Sequence, residues 1–581
     1  MLKALHYDPI AISLYYRKRP WQVWARQSVV IWAFLNFGLL LGWDWLTGCL
    51  AKNQQRRAIW LRHTLTRLGA TFIKSGQILS IRPDLIPPIY LEELTNLQDQ
   101  LPPFANELAY DLIESELGCP YSQIYPVLSP KPVAAASLGQ VYKGQLKSGE
   151  IVAVKVQRPH LREYISLDIY IVRQLTALVQ PVIPVDSDLL ILVDELANSL
   201  FEEIDYINEG RNAQRFARLY QKSSNIVVPR IYWRYTSYRI LTMEWIEGTK
   251  ITNTKVLEEQ GLDPAQLVST GYQFALEQLL EGGLFHADPH PGNLLVTPEG
   301  NLAYLDFGML SEIDYALRNY LIASLFDLLV GDFDALARDY VLLGYLSPDT
   351  DLNPLIPRLA EAFGNNIRDA NVTEFGFKQN FERMLPLFYE YSVRVPAYYL
   401  LMFRCFGTLE GIALKVNPNL QAFKLAYPYL VQRLLIEQNS TLKACLNRFL
   451  VKDGAIAWEK VSDFVGQLSY APQEELPEIL TQGIEFLSSP QGKSVRHGLI
   501  KEMAFIRESL TENAFRQLTF LSGFKTQKPL QELPTLVQSQ SLWNLIQNRS
   551  DLIWIVLNLF RTPETQRLIR IIIEEWGMVA G

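Results

Sequence analysis

Three polar side chains stand at spacings that suit the transfer of a phosphoryl group. Asp288 precedes Asn293 by five positions in the run HADPHPGN, and Asp306 follows in LDFG, thirteen positions after Asn293. Phosphoryl transfer needs a carboxylate that accepts the proton of the nucleophile, and oxygen ligands for the metal ions that hold the phosphates. The spacing therefore assigns Asp288 as the general base and Asn293 and Asp306 as Mg²⁺ ligands, with ATP and Mg²⁺ as the expected cofactors.

Two histidines border the candidate base. On residue types alone, His286, Asp288 and His290 could together hold a zinc ion. The phosphoryl-transfer spacing explains these residues better, because it accounts for Asp288 together with the two downstream metal ligands. We therefore interpret His286 as a hydrogen-bonding residue of the loop scaffold and leave His290 without a role.

A lysine that could bind phosphate stands upstream, in a pattern typical of a β-hairpin. The runs VYKGQL and IVAVKVQ are rich in β-branched residues and enclose a Ser-Gly turn, and Lys155 lies in the second run. Its ammonium group could neutralise the α- and β-phosphates of ATP. Lys155 is therefore assigned both to catalysis and to nucleotide binding.

The segment before this lysine has the spacing, but not all the residues, of the glycine-rich loop that covers ATP in protein kinases. The pattern GxGxxGxV keeps its third glycine and its valine, whereas alanine replaces the first two glycines. Because the added methyl groups restrict φ, the loop should be stiffer and lie differently over the phosphates. The loop residues predicted to bind the nucleotide are Ala134, Ala135, Ala136, Ser137, Gly139 and Val141.

Two further segments could complete a nucleotide site. The run FEEIDYINEGRN places three carboxylates, Glu203, Asp205 and Glu209, on one predicted helix, and one of them could hold Lys155. The run LTMEWIEG is typical of a hinge after a strand, with a side chain at the back of the nucleotide pocket and backbone groups facing the adenine. The residues predicted at this hinge are Met243, Glu244 and Ile246.

Two features of ordinary protein kinases are missing. Ala287 stands where the arginine of an HRD motif would read a phosphorylated activation loop. No APE motif follows Gly308, and a helix is expected to begin almost at once in SEIDYALRNYLIASLF. The platform that docks a peptide substrate is therefore expected to be absent or rebuilt.

The order of the predicted elements defines the fold class. Strands around the lysine are followed by helices, further strands, a helix, the loop with a short hairpin, and then helices. This order predicts an α+β, bilobal protein-kinase-like fold with helical extensions at both ends. The predicted segments are a membrane-associating segment (1–60), a helical extension (61–130), an N-lobe (131–247), a C-lobe (248–415) and a helical C-terminal region (416–581).

Composition excludes some functions and indicates a membrane. The chain has 581 residues and a formal net charge of −7, so no overall positive field favours nucleic acid. Its 4 cysteines lack CxxC spacing, which argues against a disulfide framework and for a reducing compartment. The Trp-rich N-terminal stretch is basic, which suits an anionic membrane surface. Its basic residues are Arg17, Lys18, Arg19, Arg26, Lys52, Arg56, Arg57, Arg62 and Arg67.

An apolar run from Val29 to Trp43 is the strongest candidate for a membrane-contacting helix. It has about 15 residues, whereas a membrane span needs about 20. Tryptophans cluster around it as interfacial anchors do. We therefore prefer an interfacial helix, with a buried core helix and a true span as alternatives. A second apolar run, Leu552 to Phe560, is too short to span.

These motifs together resemble one known family. The alanine-rich loop, VAVK, FEEIDY, HADPHPGN and LDFG occur with a KxGQ signature in FIKSGQ at Phe72–Gln77, continued by SIRPDLIP. The combination resembles the UbiB/AarF-domain kinase-like family, of the cyanobacterial or plastid type, over roughly residues 60–415. The resemblance implies a protein-kinase-like core whose KxGQ helices, which ordinary kinases lack, pack over the cleft where a peptide would bind.

The resemblance also implies roles for residues outside the phosphate site. Lys74 would enter the active site, as a further catalytic residue, and meet Glu203 and Asp205. Glu209 would pair with Lys155 and so belong to the nucleotide site. The residues that the resemblance assigns to regulation are Lys74, Gln77, Glu203 and Asp205.

Members of this family are associated with membranes and with isoprenoid-quinone or other prenyl-lipid metabolism. The resemblance implies a membrane-associated atypical kinase or ATPase that faces a reducing compartment, cytoplasm or stroma, at a plasma or thylakoid membrane. Its expected partners are ATP, membrane lipids and prenyl-phenol or quinone precursors, without nucleic acid, and a homodimer is compatible with it. Two alternatives stay open: a small-molecule phosphotransferase of the aminoglycoside or choline kinase type, and a nucleotide-binding pseudokinase scaffold.

Overall fold

The computed structural model describes most of the chain, in two compact units. The described residues are 6–80, 86–97, 102–181, 189–364, 383–384, 387, 390–391, 396–437, 439–452, 455–458, 460–461, 476–501 and 562–580. The run Leu552 to Phe560 and residues 81–85 of SIRPDLIP lie outside them. Unit 1 comprises residues 1–271, 284–312 and 395–417, and unit 2 comprises residues 272–283, 313–394 and 418–581. The segment boundaries given by the sequence stay a prediction.

Helices make up most of the described chain. Those with described bounds are α1 (Pro9–Arg17), α2 (Pro20–Leu46), α3 (Leu50–Leu68), α4 (Ala70–Leu79), α5 (Pro88–Thr95), α6 (Asn106–Leu117), α7 (Tyr121–Ile124), α8 (Leu161–Val179), α9 (Leu189–Glu203), α10 (Tyr206–Leu219), α11 (Thr254–Glu259), α12 (Pro264–Glu277), α13 (Tyr315–Val330), α14 (Phe333–Leu342), α15 (Leu355–Phe363), α16 (Ala397–Val416), α17 (Ala422–Ile436), α18 (Ser440–Leu450), α19 (Leu476–Ser488) and α20 (Pro563–Ala580).

The strands are short. They are β1 (Val127–Leu128), β2 (Ala134–Ala135), β3 (Gly139–Gln145), β4 (Ile151–Gln157), β5 (Ile226–Val227), β6 (Ile240–Glu244), β7 (Thr249–Lys250), β8 (Leu284–His286), β9 (Leu294–Val296), β10 (Leu302–Tyr304), β11 (Leu310–Glu312), β12 (Val451–Lys452) and β13 (Ala455–Ile456).

The N-terminal helices of unit 1 share a hydrophobic core with α8 and α9. Gly69 separates α3 from α4, and its φ of 101° lies in the region that glycine adopts without strain. Helix α4, which carries the KxGQ signature, therefore packs as a separate helix in this core. Buried members of the core include Ile12, Val23, Val30, Leu65, Phe72, Leu94, Ile165, Ile169 and Phe201.

Helix α2 is longer than its apolar run, which corrects the predicted length. It spans 27 residues and is long and apolar enough to cross a membrane, on length and composition alone. Its two charged residues point inward: Arg26 donates to Asp168 at 2.7 Å and to the Leu68 carbonyl at 2.6 Å, and Asp44 accepts from Arg57 at 2.6 Å. Because these charges have partners, the helix continues past the apolar run. The exposed side is apolar and includes Trp21, Trp24, Trp32, Leu35, Leu39, Trp43 and Trp45.

The first sheet of unit 1 carries the lysine strand. Its strand order is β1-β3-β4-β6, and β2 also pairs with β3. The predicted hairpin is confirmed as the antiparallel pair β3–β4. Val152, Val154 and Val156 of β4 are buried in a core with α6. Since successive strand residues point to opposite faces, Lys155 lies on the other face of the sheet.

Short strands also surround the predicted catalytic loop. Strands β9 and β10 form an antiparallel pair within a sheet of order β5-β10-β9-β7, and β11 pairs with β8. Strand β11 corrects the expectation of a helix almost directly after Gly308. The following helix begins only at Tyr315, where the Asp314 carboxylate accepts the Ala316 N–H at 3.1 Å as its N-cap.

The described part of unit 2 is mainly helical and contains a buried pair of carboxylates. Asp327 on α13 accepts from Arg448 at 2.8 Å and from the Cys445 thiol at 3.3 Å, both on α18. Asp339 on α14 is buried within hydrogen-bonding reach of Asp327. Burial raises the pKa of Asp339 to about 8, and the charge of Asp327 adds to the shift. At neutral pH the two carboxylates therefore share a proton.

Replacing Asp339 with asparagine should change how stability depends on pH. Because the folded-state pKa is raised from 3.8 to about 8, the Asp339 contribution is complete at low pH and is lost as pH rises through about 8. An amide cannot ionise, so Asp339→Asn should not lose this contribution as pH rises. The difference between the thermal midpoint of the variant and that of the wild type should therefore increase in favour of the variant from about pH 5 to about pH 9. Asp349→Asn, an exposed loop change, is the control; an equal gain there would contradict the assignment.

Candidate active site

The predicted phosphate-binding lysine lies among carboxylates of unit 1. Lys155 on β4 donates to both oxygens of Glu209, at 2.7 and 2.9 Å, and to Asp306 at 2.9 Å. Glu209 lies in the first turn of α10, and Asp306 follows β10. The fold thus brings together three residues that the sequence assigns to the nucleotide and the metal.

Burial and charge set the protonation states of this cluster. Burial raises the pKa of Glu209 to about 7, although Lys155 opposes the shift. Burial also acts to raise the pKa of Asp306, but the charge of Lys155 and the Gly308 N–H lower it below its ordinary value. For Lys155, burial acts to lower the pKa, yet the two carboxylates raise it well above the usual value. Lys155 and Asp306 are therefore a charged pair, whereas Glu209 titrates near neutral pH.

The KxGQ helix brings a second lysine to the cluster. Lys74 on α4 is 7 % exposed and pairs with Glu203, the last residue of α9, at 2.5 Å. Its positive charge also helps to lower the pKa of Asp306. A methyl group on Gly308 would lie 3.7 Å from the Glu203 side chain. The Lys74–Glu203 pair therefore lies beside the predicted metal ligand.

The other two residues assigned to regulation have local contacts. Gln77 donates its side-chain amide to the Leu97 carbonyl at 3.0 Å, which fixes α4 to the segment after α5. The Asp205 carboxylate accepts two N–H groups of the first turn of α10, at 3.0 and 3.2 Å. Asp205 is thus the N-cap of the helix that carries Glu209, and it positions that carboxylate through the backbone.

His286 connects the predicted base to the predicted metal ligand. Its Nδ1 accepts the Asp288 N–H at 3.2 Å, so its Nε2 carries the proton and donates to the Asp306 carbonyl at 2.5 Å. Burial lowers the pKa of His286, which keeps the ring neutral. His290 accepts the Gly292 N–H at 3.0 Å. Because both ring nitrogens of His286 are engaged with the backbone, the zinc alternative is not favoured.

Asn293 lies between the catalytic loop and the strand that leads to Asp306. Its backbone carbonyl accepts the Leu305 N–H at 3.0 Å, next to Asp306 in the chain. Its side chain is half-buried, and within the described part of the chain no hydrogen bond engages its amide. The amide oxygen therefore remains available as a ligand.

Sequence reasoning missed an arginine that contacts the predicted base. Arg404 on α16 donates from Nη2 to Oδ2 of Asp288 at 2.6 Å, and the two side chains are 14 % and 16 % exposed. The two residues are 116 positions apart. No motif marks Arg404, and the helical pattern around it gave no signal that it would reach the loop.

The alanine-rich segment forms a tight turn between two strands. Ala134 lies opposite Val141 and Ala135 opposite Gln140 in the β2–β3 pair. The turn closes where the Ala136 N–H donates to the Gly139 carbonyl at 2.8 Å. The segment is therefore a strand–turn–strand unit, and its predicted contact with the phosphates stays a prediction.

A second arginine that the sequence did not reveal holds this turn. Arg158 donates twice to the Ala136 carbonyl, at 3.0 and 2.9 Å, and once to the Pro102 carbonyl at 2.8 Å. Ser137, in the turn itself, is fully buried. These contacts add rigidity to a turn that alanine already restricts.

Gly139 is required by close packing. A methyl group at this position would lie 2.5 Å from the Val156 carbonyl and 2.7 Å from the Tyr206 hydroxyl. The Tyr206 ring is fully buried, and the Lys155 ammonium lies 5.1 Å from its centroid. A larger residue at 139 would therefore disturb both the turn and the surroundings of Lys155.

We expect Gly139→Ala to destabilise the protein by about 1–3 kcal/mol, the usual range for overpacking, and to weaken MgATP binding. Thermal unfolding with and without MgATP measures both effects. Gly411→Ala, in α16 with open space around the added methyl group, is the matched control. It should leave MgATP binding unchanged and should not destabilise the protein, because a helix interior favours alanine over glycine. Wild-type stability in Gly139→Ala would mean that the turn is not closely packed.

Two of the three predicted hinge residues belong to strand β6. Met243 is buried and pairs with Ala153 of β4. The Glu244 N–H donates to the Arg230 carbonyl at 2.8 Å, so only its carbonyl is left for adenine. Among the described residues, no backbone hydrogen bond engages the N–H of Ile246. Ile246 therefore offers the freer of the two predicted adenine contacts.

Comparison with known proteins identifies the class. A family model described as the ABC1 atypical kinase-like domain matches residues 96–340, which include the lysine strand and the catalytic loop. Together with the relatives below, this match shows that the chain belongs to the ABC1 family of atypical kinase-like proteins. The resemblance to the UbiB/AarF family and the kinase-like α+β fold are thereby confirmed.

Two relatives match over most of their length. The protein sll0005 of Synechocystis is 45% identical over 94% of this chain and 83% of its own. The protein ACTIVITY OF BC1 COMPLEX KINASE 3, chloroplastic, of Arabidopsis thaliana is 41% identical over 100% of this chain and 84% of its own. A solved complex of Rv3197 with erythromycin, from Mycobacterium tuberculosis, is 22% identical with a TM-score of 0.45 and covers 60% of this chain and 90% of its own.

Proposed function

We propose that this protein binds MgATP and acts as an atypical kinase or ATPase. The observation that carries the proposal is the contact of Lys155 with both Glu209 and Asp306. A cation of fixed charge beside an ionised carboxylate is the arrangement that phosphate and a divalent metal need together. On binding, Lys155 would turn from Asp306 to the phosphates and keep its pairing with Glu209.

The residues present fit Mg²⁺. The lowered pKa of Asp306 keeps its carboxylate ionised at neutral pH, and the Asn293 amide is unengaged within the described chain. Hard oxygen ligands of this kind are those that Mg²⁺ prefers. The ion would neutralise phosphate charge when bound. The neutral His286 would keep Asp288 and Asp306 at a fixed separation, and Asp288 would accept the proton of the attacking hydroxyl or water.

Asp306→Asn should abolish the stabilisation that MgATP gives. A neutral amide is a poor ligand for a hard cation and no longer pairs with Lys155. We expect the rise in thermal midpoint on adding MgATP to disappear, in a comparison made with and without a chelator. Asp349→Asn should retain it. A full MgATP response in Asp306→Asn would remove Asp306 from the metal site.

The surroundings of the site favour a small or membrane-held acceptor. Lys74 and Glu203 lie beside Asp306, and β11 pairs directly with β8 where an activation segment would otherwise follow. We infer that generic proteins are poor acceptors. The Lys74–Glu203 pair also argues against a phosphotransferase of the aminoglycoside or choline kinase type, which the KxGQ segment distinguishes from this family.

We further propose that α2 contacts a membrane and that the activity supports isoprenoid-quinone or prenyl-lipid metabolism. The exposed apolar side of α2, with its charged residues turned inward, supports the membrane contact. The chloroplastic relative agrees with a plastid or thylakoid-type setting. The quinone or prenyl-lipid role rests on the family resemblance.

Replacing exposed apolar residues of α2 with polar ones should reduce membrane binding. Trp32, Leu35 and Leu39 are 67%, 48% and 63% exposed. The variant with glutamine at these three positions should float with anionic liposomes several-fold less than the wild type, while its MgATP response stays intact. Glutamine at Leu178 and Ile191, 74% and 56% exposed on α8 and α9, is the control. Unchanged flotation of the α2 variant would exclude this surface.

A nucleotide-binding scaffold without turnover is the second candidate. The ion pair between Asp288 and Arg404 favours it, because the guanidinium already occupies one oxygen of the candidate base. Steady ATP hydrolysis by the purified wild type, lost in Asp288→Asn, would decide against the scaffold.

A further inference from the structure

Among the described residues, the candidate base is held by one of its two carboxylate oxygens. Arg404 donates to Oδ2 of Asp288, and in the described part of the chain no hydrogen bond engages Oδ1. The terminal torsion of an aspartate is broad and nearly two-fold, so an unanchored carboxylate would sample many orientations. The charged hydrogen bond at 2.6 Å selects one of them.

The loop itself lacks an internal cation that could do this. Ala287 is buried where an HRD arginine would stand, and its N–H donates to the Met309 carbonyl at 3.0 Å. His290 is engaged locally with Gly292. The strand pairing of Leu310 with His286 ties the following segment to the loop. The orientation of Asp288 is therefore set from α16.

We propose that Arg404 is a positioning residue of the phosphoryl-transfer centre, which anchors Oδ2 of Asp288 so that Oδ1 faces the acceptor. This inference rests on the proposed function of Asp288. The acceptor O–H proton passes to Oδ1 as the acceptor oxygen bonds to the γ-phosphorus. The bond from that phosphorus to the bridging oxygen breaks, and ADP leaves with the electron pair. Arg404 contacts only Oδ2 of Asp288 in this step and touches neither the acceptor oxygen nor the phosphorus.

In this arrangement the Asp288 carboxylate is oriented without phosphorylation of the protein. In kinases that use an HRD arginine, a phosphorylated loop residue completes the ion pairing. Here the guanidinium is part of the fold, on a helix of the same compact unit as the loop. The orientation of Asp288 therefore does not depend on a phosphorylated loop residue.

The test is steady-state ATP hydrolysis by full-length protein, with Arg404→Met as the main variant. We expect kcat to fall about tenfold to a hundredfold, since a misplaced catalytic group can lose about 10²-fold, while KM for ATP and the MgATP response stay at wild-type values. Arg239→Met is the matched control, because Arg239 lies in the same unit and pairs at 2.7 Å with Glu116, which has no assigned role in the site. It should retain wild-type kcat.

A double variant separates positioning from other roles. If Arg404 acts through Asp288, Asp288→Asn with Arg404→Met should be no slower than Asp288→Asn alone. A further loss in the double variant would mean that Arg404 acts on the phosphates themselves and would overturn the inference. Arg404→Lys keeps a cation and should recover part of kcat, which also covers the case in which Arg404→Met folds poorly.

The failure of this inference differs from the failure of the proposed function. A wild type that hydrolyses ATP, together with an Arg404→Met variant of unchanged kcat, overturns only the role of Arg404. A wild type that binds MgATP without turnover overturns the proposed function, and the role of Arg404 with it.

Discussion

A largely buried ammonium group, shared between two carboxylates, is the interaction on which the arrangement of unit 1 depends. Lys155 belongs to the first sheet, Glu209 to α10, and Asp306 to the segment after β10. Removing Lys155 would leave two carboxylates in a poorly solvated place without their shared cation, which is strongly unfavourable. The three elements are therefore held together by the same groups that would receive nucleotide, and binding must replace these contacts with equivalent ones.

The other candidate residues are preorganised around this cluster. A neutral histidine links the base to the metal ligand through two backbone groups, and Phe307 packs beside it with Phe216 of α10. Asp205 and Gln77 contribute through helix ends and not through direct charge. Such rigidity favours catalysis because little reorganisation is needed when charge develops.

The sequence predicts the parts of this site that follow from local spacing. The β3–β4 hairpin and the loop between β8 and β9 are short, so their register fixes where Lys155, Asp288 and Asn293 lie. Spacing cannot predict Arg404, because a helix far along the chain reaches the loop only through tertiary packing. The length of α2 was underestimated for a related reason: an apolar-run count ignores charged residues whose partners are on other helices. Strand β11, with three residues, is too short to show a period.

Arg26 has a consequence for any shortened form of the protein. It belongs to α2, yet it neutralises Asp168, whose side chain is 3 % exposed, and it supplies a donor to the last carbonyl of α3, directly before Gly69 and the KxGQ helix. Proteolysis or truncation that removes this N-terminal helix would leave the buried Asp168 carboxylate without its cation. It would also remove the donor to the last carbonyl of α3. Helix α2 is thus part of the folded core of unit 1. A fragment that lacks it would be less stable than the intact chain.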